Sequence, residues 1–241
     1  MRNMIMVLLV VIGAFATIAS GASTTTVGFD GGSDGGFIGN AYFETTGGNP
    51  DGVARHLFDG FFTDLRTGAP GEPTNAGFLG NYTEFESVTI SFDVKTNYLN
   101  NFMGDPIARP IGVFLRNHDI TGPNGAAGVF FEMGTVGVNF TPGWTTLSVT
   151  IDDPLSPTLP AGWVGFGDDD PVTYEPILPA GVTFASVLAN VGEFDITGAV
   201  PGYFFTYAFY DVLIDNVSIE VHGNSVSNES MTMSSVKSMF R

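Results

Sequence analysis

Between positions 87 and 95 the chain alternates without a break. Val88, Ile90, Phe92 and Val94 fall on one side of an extended backbone, and Ser87, Thr89, Ser91, Asp93 and Lys95 on the other. That two-residue period is the mark of a strand with one buried face. The stretch from Trp144 to Ile151 repeats it, with Leu147, Val149 and Ile151 inward and Thr146, Ser148 and Thr150 outward. So does Asn216 to Val221, with Val217, Ile219 and Val221 inward. Residues 111–116, 129–132, 163–166 and 203–210 are apolar at both parities, as in strands covered on both sides. In the last of these runs Tyr203, Phe205, Tyr207 and Phe209 share a parity and are expected in the core. Clusters of Gly, Pro, Asn and Asp at 47–52 and 122–125 separate the strands. The one helical spacing is Phe184, Val187, Leu188 and Val191, behind Thr183 as N-cap and with Gly192 placed to stop it. The pattern predicts an all-β fold, an antiparallel β-sandwich of jelly-roll type with one short helix.

Composition adds compartment and excludes several chemistries. The 241 residues carry 25 Asp and Glu against 8 Lys and Arg, a net charge of −17, with charged residues only 14% of the chain and hydrophobic ones 44%. There is ample material for a core, and the acid excess argues against a sequence-independent grip on nucleic acid. With no Cys there is no disulfide framework, no thiolate nucleophile and no Cys-ligated zinc. Arg2 precedes an apolar run from Ile5 to Ile18 that ends in the small residues Ala19, Ser20, Gly21 and Ala22. This reads as a secretory signal peptide over residues 1–22, its run too short to span a bilayer. The expected organisation is then a sandwich domain over 23–222 and a Ser-rich flexible tail over 223–241 that ends in basic residues. Secretion to the extracellular space or cell surface follows, with no membrane span after cleavage. The sequons at Asn81, Asn139, Asn216 and Asn228 matter only in a host that glycosylates.

Two acids draw attention as metal ligands. Asp215 has the parity of Val217, Ile219 and Val221, which heads its carboxylate toward the buried side, where an unpaired charge costs several kcal/mol. Asp30 lies on a short strand running into Gly31 and Gly32. If the first and last strands lie side by side, Asp30 and Asp215 plus freed carbonyls make a Ca²⁺ site of hard oxygen ligands. The other reading is that Asp215 accepts backbone N–H bonds at a turn. The segments Gly28-Phe29-Asp30, Phe184 to Val191 and Ile214-Asp215-Asn216-Val217 resemble the galactose-binding-like jelly rolls, most of all the laminin B (laminin IV type A) and carbohydrate-binding-module group. That resemblance implies a structural calcium held by the first-strand and last-strand acids. The chain departs from the better-known sugar binders in having only two Trp.

Sugar recognition needs exposed aromatic faces with carboxylates or amides nearby. Trp144, on the polar parity of its strand, is the first candidate, with a partly covered edge aromatic as the other reading. Tyr174 and Asp169 lie in the acidic loop 167–175, which reads equally as a solvated turn. His56, His118 and His222 are isolated, and no His-Glu-x-x-His or Gly-x-Ser-x-Gly occurs. Glu193-Phe194-Asp195-Ile196 matches two of the three acids of a sandwich β-glucanase strand, with Thr197 and Gly198 where the third is due. The expectation is therefore a non-catalytic, calcium-stabilised module that binds an extracellular glycan or cell-surface polymer. Its rivals are a structural subunit that self-associates into an assembly and a β-glucanase-like hydrolase.

Overall fold

The structure is a computed structural model that describes residues 21–223. All but the last two residues of the expected signal peptide, and all of the expected tail after Gly223, lie outside the described residues. The first sheet holds β3 (Tyr42–Glu44), β4 (Val53–Gly60), β14 (Ala208–His222), β6 (Ser87–Asn101) and β9 (Thr145–Ile151) in that order, with β1 (Ser23–Val27) also pairing β14. The second runs β10 (Trp163–Phe166), β8 (Gly125–Val136), β7 (Arg109–Gly122), β13 (Glu193–Thr197), β5 (Asp64–Thr67) and β2 (Ile38–Gly39). A minor pair, β11 (Asp168–Asp169) and β12 (Pro176–Ile177), stands apart. Every pairing is antiparallel, and the whole is the β-sandwich of jelly-roll type that the alternation predicts.

The core lies between the two inner faces. Val88, Ile90, Phe92 and Val94 of β6 and Ile111, Val113 and Leu115 of β7 are completely shielded. Phe78 packs between Phe37 and Phe194, ring centroids 5.2 and 5.0 Å away. The helix α1 (Phe184–Leu188) adds Phe184, Val187 and Leu188 to this core, and Phe184 meets Trp163 edge-on at 5.1 Å. Its start is the expected one: Thr183 and Ser186 form a reciprocal capping box that satisfies two N–H groups. Its end is not set by Gly192. The helix closes at Leu188, and the Gly192 N–H donates to the Arg116 carbonyl at 2.8 Å, leading the chain into β13.

The strand β14 departs most from the sequence reading. One edge pairs continuously with β6, while the other pairs with β4 through Ala208–Ile214 and with β1 through Val217–Val221. At the change of partner the ladder to β6 slips between Asp215 and Ser218, and Asn216 adopts a left-handed backbone at φ 49°. The extra residue reverses the inward parity. Val217 and Ile219 face the core after it, but Ala208, Tyr210, Val212 and Ile214 face the core before it. Tyr207 and Phe209 are therefore exposed instead of buried, Tyr203 is exposed as well, and Phe205 is half-buried against Phe62. The strand itself begins only at Ala208.

Truncating the central ring should be costly and cutting the helix cap mild. Phe194→Ala is expected to lose about 3–5 kcal/mol and Thr183→Ala about 1 kcal/mol, read as shifts in urea-unfolding midpoint at unchanged slope.

Candidate ligand-binding face and acidic junction

Because β14 turns its odd-numbered residues outward before the slip, the outer face of the first sheet carries ordered cross-strand rows. Leu57, Asp211 and Tyr98 form one row, and Asp59, Phe209 and Asn100 the next. Beyond them, where β4, β6 and β14 all end near Ala208, the chain supplies Phe61, Phe102 and Tyr207. On the other side Tyr42 stands opposite Arg55. The apolar members are open to solvent: Tyr42 is 63% exposed, Phe102 68% and Phe209 40%. Phe61 meets Tyr207 edge-on at 5.8 Å, and Tyr207 meets Phe209 likewise at 6.1 Å.

A polar network occupies the centre of this face. Arg55 clamps Asp211 with two parallel bonds of 2.8 Å and reaches Glu44 at 3.3 Å, while Asn97 donates to the same Asp211 carboxylate at 3.1 Å. Asn97 is the residue skipped in the β6 ladder opposite Asp211, and this irregularity brings its amide within reach. Burial pushes the Asp211 carboxyl up, but the bonds from Arg55 and Asn97 and the guanidinium charge outweigh it and hold it below the ordinary carboxylate range. A bidentate clamp of this kind fixes both side chains between the exposed rings. The tyrosine hydroxyls, Asn100 and Asp59, to which Tyr207 donates a hydrogen bond, supply further donors and acceptors.

Farther along the same face lies an acidic junction. Asp215 sits directly opposite Asp93, on the outer side of the sheet, so the expectation that it heads into the core on the parity of Val217 is overturned by the slip. It is nonetheless 0% exposed, because the 47–52 loop folds over it. The Asn49 N–H donates to Asp215 Oδ2 at 2.5 Å and the Asn216 N–H to its Oδ1 at 2.7 Å. The side-chain amides of Asn49 and Asn216 both donate to Asp93, which also accepts from Thr146. A Cβ on Gly48 would stand 1.7 Å from the Gly52 carbonyl oxygen and 2.7 Å from Asp215 Oδ2, so no other residue fits there.

The first strand ends at Val27 beside this loop, so Asp30 is not on it as expected but opens the 3-10 turn Asp30–Gly32, behind Phe29 in a left-handed backbone at φ 55°. Oδ1 atoms of Asp30, Asp215 and Asn216 lie 3.7, 3.8 and 3.5 Å from the place a Gly28 Cβ would take, so three side-chain oxygens converge on one bare backbone position. Among the described residues no Lys, Arg or His forms an ion pair with Asp30, Asp93 or Asp215. Burial, then the charges of Asp93 and Asp30, raise Asp215 to about 6 against the pull of its two N–H donors. No cluster of three or more His or acidic side chains is arranged to hold a metal among the described residues. A cation here would draw on two carboxylates and complete its shell with amide, carbonyl or water oxygens, a mixture that Ca²⁺ accepts.

The other expected site residues are dispersed. Trp144 is half-buried just ahead of β9 on the first sheet. Asp169 ends β11, and Tyr174 lies in the exposed turn between β11 and β12, where its N–H donates to the Asp170 carbonyl. Glu193 and Asp195 stand on the outer face of the second sheet. Arg116 and His118 engage the two Glu193 oxygens, and Asp195 is 2% exposed and pushed well above the ordinary carboxyl range by burial and by Asp64. The face carrying Tyr42, Arg55, Leu57, Tyr98, Phe209 and Asp211 was not anticipated. Its one visible signal was the acid at 211 inside an aromatic run.

Comparison with known proteins gives little. No family model matches the chain, and no curated protein does. Among solved structures it is similar to a family 11 carbohydrate-binding module from Clostridium thermocellum, in complex with a beta-1,3-1,4-mixed-linked tetrasaccharide. The identity is 11% and the TM-score 0.40, over 87% of this chain and 91% of that one.

The two aspartates of β14 should titrate with opposite effects on stability when chelator is present. The folded-state pKa of Asp211 is lowered, so its advantage over Asp211→Asn should persist above the ordinary carboxyl range and vanish as pH falls through the lowered value. That of Asp215 is raised, so its advantage over Asp215→Asn should be fullest below about pH 4 and disappear as pH rises through about 6. Urea titrations of the three proteins from acid to neutral pH check both slopes.

Proposed function

We propose that the chain is a secreted, non-catalytic glycan-binding module of an extracellular surface or matrix, and that it binds through the outer face of the sheet centred on β14. The observation that carries this reading is the set of solvent-exposed rings, Tyr42, Tyr98, Tyr207 and Phe209, around the immobilised Arg55–Asp211–Asn97 network. Pyranose rings present apolar C–H faces that stack on aromatics and hydroxyls that bond to fixed amides and carboxylates. Both halves of that requirement meet on one rigid sheet, where little side-chain entropy is left to lose on binding. Turnover has less support. Hydrolysis calls on two carboxyl groups that touch substrate, whereas Glu193 is engaged by Arg116 and His118 and Asp195 is sealed from solvent. Loss of measured β-glucan turnover on Glu193→Gln would revive the hydrolase reading.

Retention on a panel of immobilised polysaccharides tests the site. Tyr98→Ala and Phe209→Ala should each weaken binding by about fivefold or more, near 1 kcal/mol, with unchanged melting. Retention lost with Trp144→Ala or Tyr174→Ala but unaffected by those two would move the site to the other surfaces.

We further propose that Ca²⁺ occupies the junction, with Asp30 and Asp215 as its carboxylate ligands and Asn216 as a third side-chain donor. It would supply the positive charge that the buried Asp215 otherwise lacks and pin the 47–52 loop to the first strand. Calcium at about one hundred times its dissociation constant should add roughly 2.7 kcal/mol of stability. The expected result is a higher melting temperature in Ca²⁺ than in chelator for the wild type, and no difference for Asp30→Asn or Asp215→Asn. Equal melting of the wild type in both buffers would overturn the metal site.

A further inference from the structure

Sheet edges are the places where a β-sandwich exposes unpaired main-chain groups, and natural proteins shorten, charge, bend or cover them. Three ends of the two sheets follow that rule. Among the described residues β3 has three residues and β2 two, and β10 packs at Gly165 against Ile177 and Leu178. The strand β9 follows it least, although Ser148–Ile151 share a cleft with Ser156, Pro160 and Ala161. It is seven residues long and pairs with β6 in unbroken register from Thr145 to Ile151. No other described main-chain hydrogen bond reaches it. It has no Pro, and no charged residue occurs anywhere between Glu132 and Asp152, in a chain whose net charge is −17. Its inward side chains are Leu147, Val149 and Ile151, and its outward ones, Thr146, Ser148 and Thr150, carry only hydroxyls.

We propose that β9 is a self-association edge, at which a second copy of this chain adds its own β9 antiparallel across a two-fold axis at Ser148, joining the two first sheets into one. In that register Leu147 faces the partner's Val149 and Thr146 faces its Thr150. Hydroxyl pairs of the same kind already stabilise the sheet, with Thr89 bonded to Thr150 at 3.0 Å and Thr26 to Ser218 at 2.9 Å. Charge selects both the partner and its direction. A second acidic body can approach only where the contact itself carries no acid, and β9 is such a segment. Antiparallel pairing places each Asp152 opposite the partner's Trp144. The two Asp152 carboxylates are then about 27 Å apart at the rise of a strand, several Debye lengths in physiological salt. Parallel pairing would set them side by side. A seven-residue ladder lies at the small end of specific interfaces, so the association is weak and strengthens as salt screens the two bodies.

Sedimentation equilibrium of the chain at low and at about 0.5 M salt tests this. The wild type should show a monomer–dimer equilibrium that tightens with salt. Ser148→Lys, at an exposed position, should raise the dissociation constant at least about tenfold by placing like charges directly opposite, with unchanged melting. An equimolar mixture of Ser148→Lys and Ser148→Asp should recover dimers that neither forms alone. A wild type that stays monomeric at millimolar concentration overturns the proposal. So does a dimer that Ser148→Lys leaves intact, or one that the mixture fails to restore.

Discussion

Everything on the first sheet depends on how one strand shares its hydrogen bonds. The fifteen residues of β14 keep β6 along one edge throughout, but must satisfy the other edge with two different strands, β4 and then β1. Unpaired main-chain groups in a sheet interior cost about as much as lost hydrogen bonds, so the hand-over must be compact. One extra residue at Asp215–Asn216 accomplishes it and reverses which side chains face the core. The same slip therefore exposes Tyr207 and Phe209, turns Asp211 outward to Arg55, and sets Asp215 beneath the 47–52 loop. The aromatic face and the acidic junction are two products of a single irregularity.

Asp211 and Asp215 illustrate how differently one sheet face can treat a carboxylate. Asp211 has a guanidinium fork and an amide, and its negative charge is favoured despite burial. Asp215 has only N–H dipoles, with Asp93 across the ladder and Asp30 in the turn after the first strand. Peptide dipoles stabilise one charge at close range but cannot offset three acids gathered in one place. The first arrangement is self-sufficient in electrostatic terms, whereas the second is short of positive charge.

Much of the architecture was legible in the sequence because it rests on local periodicity. The alternation at 87–95 and 145–151, the covered run at 163–166 and the Thr183 cap all report burial that a strand or helix imposes on its own residues. The pairing of the first and last strands entered only as a condition for the Asp30–Asp215 site, and β1 and β14 meet it. The aromatic face did not, because its legibility depended on parity carried backward from Val217 through Asn216. A period of two holds only while no residue is inserted, and nothing at 215–216 except an Asn tolerant of a left-handed backbone announced the insertion. Tyr98 was hidden in the same way by the irregularity at Asn97. Burial of Asp215 was read correctly from the wrong cause, since a loop distant in sequence covers it.

The pairing of Ser23 with Val221 sets the beginning and the close of the folded body next to each other, while Phe61, Phe102 and Tyr207 lie where β14 starts, roughly 44 Å away along that strand. The molecule thus has two poles. A copy tethered by either terminus would hold its rings at the far pole, reaching outward from whatever surface it is fixed to.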